Sequence, residues 1–124
     1  MIDNIIDNSS IQALCALLEK SRNCLILTHS RPDGDAIGSS LALAHFIKST
    51  GREATIVVPN DYPPFLAWMP GIESIIINDK QQSAAEEAIQ KADLIFCLDF
   101  NALSRIDEVG EKVSSTTAPK ILID

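Results

Sequence analysis

Five short runs of apolar residues, none of them alternating with polar ones, constrain this chain more than any other feature. They are NCLILT (Asn23–Thr28), EATIVV (Glu53–Val58), SIII (Ser74–Ile77), LIFCL (Leu94–Leu98) and KILI (Lys120–Ile123). A strand with one wet face alternates; a continuous apolar run belongs to a strand buried on both faces, which is the habit of parallel sheets. Helical stretches separate the runs. Asn8-Ser9-Ser10 can cap a helix carrying Ile11, Leu14, Cys15, Leu17 and Leu18 at helical spacing. Further helices are predicted from Ala36 to Gly51, over Gln81–Ala92, and from about Ser104 to Ser115. The expectation is an α/β fold, one domain, with a parallel sheet covered by helices on both faces. Only NDYPPFLAWMPG resists regular assignment, its prolines allowing at most one short turn between Pro64 and Met69. Its aromatics, Tyr62, Phe65 and Trp68, read as a packed connection in preference to a base-stacking platform.

Charge and composition remove several function classes. A net charge of −7 disfavours duplex DNA, whose binding needs Lys and Arg against phosphates. A small phosphorylated substrate stays open if bound cations reverse the local field. No apolar run approaches the roughly 20 residues that cross a bilayer, so no membrane partner is expected. The first residues, MIDNIIDNSS, are acidic where an export signal is basic, which points to the cytoplasm. Cys15, Cys24 and Cys97 lack CxxC spacing, sit in apolar runs and read as buried free thiols. There is no GxxxxGK[ST], no GxGxxG and no GxSxG.

In a parallel sheet, ligands bind beyond the carboxyl ends of the strands. Strand CLILT runs straight into His29, with Asp33 and Asp35 in the same loop; LIFCL is followed by Asp99, and ILI by Asp124. Three strands thus deliver His or Asp to one rim. Asp93 precedes its strand and belongs to the opposite edge, while Glu86, Glu87, Glu108 and Glu111 fall on helices as solvated carboxylates. Imidazole with several carboxylates is a hard donor set suited to Mn²⁺ or Mg²⁺. Two such cations about 3.5–4 Å apart can bind a phosphoryl group and activate water. Each residue also has a plainer use: Asp35 as cap of a helix starting at Ala36, Asp33 as closure of a Pro-Asp-Gly turn with φ > 0 at Gly34, His29 as a strand-end residue bonded to backbone. The shared rim is what separate turns and caps do not explain. His45, among Leu43, Ala44 and Phe46 on a helix, reads as structural.

His29-Ser-Arg-Pro-Asp33-Gly-Asp35-Ala-Ile-Gly38-Ser39 closely resembles the first motif of the DHH phosphoesterases. Asp99 in LIFCLDFN resembles the second motif, and Asp124 after KILI the Asp that opens the third, D-H-H. The likeness runs from the first helix to the last strand. It is strongest to the branch of oligoribonucleases and 3′-phosphoadenosine 5′-phosphate phosphatases, which FLAWMPGIESI also resembles. It implies a parallel Rossmann-like sheet and two Mn²⁺ ions, with Mg²⁺ as the alternative. His29 and Asp33 would hold one metal and Asp35 the second; Asp99 would bridge both, and Asp124 would orient the histidine that follows. Catalysis would then rest on Asp35, Asp99 and Asp124. Arg105 reads either as a contact to substrate phosphate or as a solvated helix start.

The partner implied is a short RNA or a small phosphorylated nucleotide; a homodimer is compatible. Cyclic-dinucleotide phosphodiesterase and pyrophosphate or polyphosphate hydrolase are the alternatives within the same chemistry. Outside it stand a non-catalytic metal- or phosphate-binding module and a structural domain with solvated rim carboxylates. The pattern stops at Asp124, one residue before the two histidines of D-H-H. Residues 1–124 are therefore expected to form a partial DHH domain, without the C-terminal substrate-binding domain. Activity is expected of the full-length protein and not of these residues alone.

Overall fold

The unbroken apolar character of the first strand, β1 (Asn23–Thr28), follows from its place at the middle of the sheet. In the computed structural model, which describes residues 8–98, 106 and 108–123, β1 pairs with β2 (Glu53–Val58) on one side and β4 (Leu94–Leu98) on the other. A two-residue β3 (Ile76–Ile77) flanks β2, and β5 (Lys120–Ile123) flanks β4. All pairings are parallel, in the order β3-β2-β1-β4-β5. Successive β1 side chains enter two different cores. Cys24 and Ile26 join Phe96 and Leu98 beneath α1 (Asn8–Lys20) and α2 (Gly34–Ser49). Leu25 and Leu27 join Ile95 and Cys97 beneath α3 (Gln82–Lys91) and α4 (Glu108–Ser114). The α/β class and the helices on both faces are as the sequence predicts.

The helix ends show where backbone groups are spent. At the end of α1, Ser21 Oγ donates to Leu18 O at 2.9 Å and Arg52 Nε reaches the same carbonyl at 2.6 Å. Thr50 closes α2 with its backbone and hydroxyl on Ile47 O, and Gly51 follows at φ +86°, where glycine costs least. At the amino ends of the strands, Asp93 accepts the backbone N–H of Arg22 (2.8 Å) and of Asn23 (3.0 Å). This acid belongs to the edge opposite the rim, as its position before β4 implies.

Several expectations need correction. The second helix starts at Gly34, two residues earlier than Ala36. β3 is shortened to two residues because Ile72–Ser74 coils into a 3₁₀ turn, although Ile75 stays buried. Cys24 and Cys97 are buried free thiols, but Cys15 is exposed: α1 has no fully buried residue, and its contact to the core runs through Leu14, Leu17 and Leu18. The aromatic connection divides in two. A 3₁₀ turn at Pro64–Leu66 eclipses residues three apart, so Leu66 and Met69 pack inward while Phe65 and Trp68 are each 73% exposed. His45 is exposed on α2, about three turns from its start. The helix expected from about Ser104 lies outside the described residues before 106; from Glu108 it is helical.

Candidate active site

The order of strands reverses between β1 and β4: β2 and β3 run off one side, β4 and β5 off the other. In open parallel sheets a crevice opens beyond the carboxyl ends at such a point. The three strand ends there are level. Thr28 pairs in register with Leu98, and Leu98 with Ile123. The residues that come next in sequence are His29, Asp99 and Asp124. Asp99, Arg105 and Asp124 lie outside the described residues.

The loop from β1 to α2 is built in four steps. Thr28 is fully buried, and its hydroxyl has no hydrogen-bond partner among the described residues. His29, half-buried, makes a 2.8 Å contact from Nδ1 to the carbonyl of Ser30. A carbonyl can only accept, so Nδ1 carries the proton, and in the neutral ring Nε2 holds the lone pair. Arg31 then takes φ +54°, the one positive φ outside glycine among the described residues, and its N–H donates to Asn60 Oδ1 at 2.6 Å. Finally Asp33 caps α2: its Oδ1 accepts the N–H of Ala36 at 2.9 Å, and its carbonyl accepts that of Ile37 at 3.0 Å.

Two expectations about this loop change. The cap is Asp33 and not Asp35, because Asp33 has the extended backbone that places a carboxylate over the first turn. Asp35 lies exposed in that first turn. The left-handed residue is Arg31, whereas Gly34 has no positive φ and already belongs to the helix. A Cβ on Gly34 would meet Leu66 Cδ2 at an ordinary 3.8 Å, so close packing does not demand glycine there.

The arrangement puts two carboxylates, Asp33 and Asp35, at the positive end of a 16-residue helix, with His29 earlier in the loop that leads to it. Unpaired backbone N–H groups there favour negative charge. Asp33 Oδ1 is used by the cap, so a cation would fall to Oδ2. Among the described residues no group of three His, Cys, Asp or Glu is drawn together tightly enough to hold a metal. His29, Asp33 and Asp35, running from the loop into the first turn of α2, would by themselves make only part of a donor set. Its imidazole-and-carboxylate chemistry fits a hard divalent cation, and the orphaned Thr28 hydroxyl beneath the loop is the kind of buried group that a bound species or its waters would satisfy.

Beside this loop, the chain after β2 supplies polar groups that sequence reasoning passed over. Asn60 is half-buried, Lys80 pairs with Asp61, and that carboxylate raises the lysine's affinity for its proton. Asn78, buried just after β3, accepts from Lys112 Nζ at 3.0 Å, and Lys112 lies 3.3 Å from Glu86. Their signal in the sequence is position alone: Asn60 and Asn78 also stand just past strand ends.

Comparison with known proteins places these residues in a wider setting. The family model described as DHH family, N-terminal domain, matches residues 23–124. The bifunctional oligoribonuclease and PAP phosphatase NrnA of Thermus thermophilus is 53% identical over 45 residues, which cover 36% of this chain and 13% of that protein. The crystal structure of an exopolyphosphatase-related protein from Bacteroides fragilis superposes with a TM-score of 0.96 at 43% identity. That match covers 99% of this chain and 36% of the solved one. The chain thus spans little more than a third of that structure and a smaller share of the curated relative.

Proposed function

This chain belongs to the DHH family, and from that premise we propose that the full-length protein is a two-metal phosphoesterase acting on short oligoribonucleotides, on 3′-phosphoadenosine 5′-phosphate, or on both. The observation that carries the reading is the run from β1 into α2, where His29 follows the strand end and Asp33 and Asp35 stand at the start of the helix, next to the point where the strand order reverses. The name of the Thermus thermophilus relative supports the substrate class. In this reading His29, Asp33, Asp35 and Asp99 would be the residues that hold two Mn²⁺ ions. Asp124 orients the next residue of the full-length chain, and Arg105 meets substrate phosphate.

Divalent cations held there supply Lewis acidity, offsetting charge on phosphoryl oxygens and making water a nucleophile at neutral pH. The chain's own part is positional. The Nδ1–H of His29 on Ser30 O restrains the ring and sets its tautomer. Asp33 serves the helix with one oxygen and keeps the other for the site. Asp35, in the first turn, is held by the helix backbone itself.

A second reading has its own observation: the Bacteroides fragilis protein, alike over nearly the whole chain, is named exopolyphosphatase-related. Full-length protein stripped of metal and resupplied with Mn²⁺ separates the two. Hydrolysis of dinucleotides or 3′-phosphoadenosine 5′-phosphate is expected. Release of phosphate from inorganic polyphosphate alone would favour the second reading, and no Mn²⁺-stimulated hydrolysis of any of these would end both.

A further inference from the structure

We propose that Asn60 is a positioning residue for the loop that carries His29 and Asp33, acting through the backbone of Arg31; the proposal rests on the metal-site reading above. The left-handed conformation costs a non-glycine residue about 1–2 kcal/mol, and Arg31 is the non-glycine residue that adopts it in the described structure. Such a residue persists where its surroundings over-determine it. Here the peptide before Arg31 is held on both sides, its carbonyl by His29 Nδ1 at 2.8 Å and its N–H by Asn60 Oδ1 at 2.6 Å, and the second of these comes from outside the loop.

The geometry of the sheet brings the two residues together. β1 and β2 are neighbours with Leu27 opposite Val57, so the loops leaving them run side by side. Arg31 lies between His29 and Asp33 and turns the chain from one toward the other. Holding it at φ +54° therefore fixes the direction in which both donors leave the backbone. If Arg31 relaxed to negative φ, the two donors would no longer share one geometry. Asn60 ionises at no ordinary pH, so it accepts this bond without adding a further negative charge to an acidic rim.

Three variants of the full-length protein test the proposal, with Mn²⁺ affinity read by electron paramagnetic resonance. Asn60→Ala should weaken Mn²⁺ binding about tenfold, the scale seen when a group that orients a ligand is lost. Its hydrolysis at saturating Mn²⁺ should fall far less. Asn60→Asp keeps the acceptor and should bind close to normally. Arg31→Gly added to Asn60→Ala should restore affinity, because glycine adopts positive φ without the anchor. Wild-type affinity in Asn60→Ala, or no recovery in the double variant, would overturn the proposal.

A control separates it from the reading beneath it. If Asp33→Asn binds Mn²⁺ like wild type, the metal assignment fails. Amide exchange of Arg31 in metal-free protein then decides the anchor by itself. Slow exchange that becomes fast in Asn60→Ala upholds it, and equally fast exchange in both overturns it.

Discussion

The two ends of the sheet use the same residue types for opposite ends. At the amino edge, Asp93 gives both carboxylate oxygens to backbone N–H groups of Arg22 and Asn23, and Arg52 gives its guanidinium to the carbonyls of Leu18, Ser21 and Thr50. Little chemistry is left over. At the carboxyl rim, Asp33 commits one oxygen to a cap and Asp35 lies exposed, both in the field of a helix N-terminus. An acid's task is set by which strand end it stands at, since the backbone groups offered at the two ends differ.

The contrast can be broken most forcefully at Asp33. Asn caps a helix about as well as Asp, so Asp33→Asn should leave the melting temperature within a degree or so of wild type. In the full-length protein, however, Mn²⁺-dependent turnover should drop on the order of a thousandfold, because several kcal/mol of charge stabilisation are lost. Equal losses of stability and activity would mean the two ends do not differ in kind.

Asp93→Ala is the mirror experiment. It should cost about 2 kcal/mol in urea unfolding, since two backbone donors lose a charged acceptor, with kcat/KM per folded molecule unchanged. Thr28→Val sharpens the rim's side of the comparison. Replacing a buried hydroxyl that has no partner among the described residues by a methyl group should stabilise the metal-free chain by about 1 kcal/mol, and a loss of stability would show that the hydroxyl has a partner. The smallest effect concerns the thiols. Burial pushes the pKa of Cys24 and Cys97 up, which lowers their thiolate fraction at any pH below it. Brief alkylation of the native chain near pH 8 should therefore add a single adduct, at Cys15, detectable by intact mass.

What could be read from sequence divides along physical lines. β1 and β4 are legible because burial on two faces leaves an unbroken apolar run. The inner workings of the loop are not. Pro32-Asp33-Gly34 advertises a glycine turn, yet the positive φ falls on Arg31, whose N–H donates to Asn60 in the loop after another strand. Local propensity cannot foresee a bond between residues so far apart in the chain. The same applies to Phe65 and Trp68: apolar character predicts burial, but a 3₁₀ repeat of three set them outside and Leu66 inside. Asp99, Arg105 and Asp124 lie outside the described residues.

The level row Thr28–Leu98–Ile123 makes the sheet a ruler. Its gradations, about 4.8 Å from strand to strand, are set by backbone hydrogen bonds that no side chain supplies. Substitution along this rim can change what is held there, but not the spacing at which it is offered. Deleting one residue from β4 would do what no substitution can: it would exchange the faces of Phe96 and Cys97 and pull one mark of the ruler out of line with its neighbours.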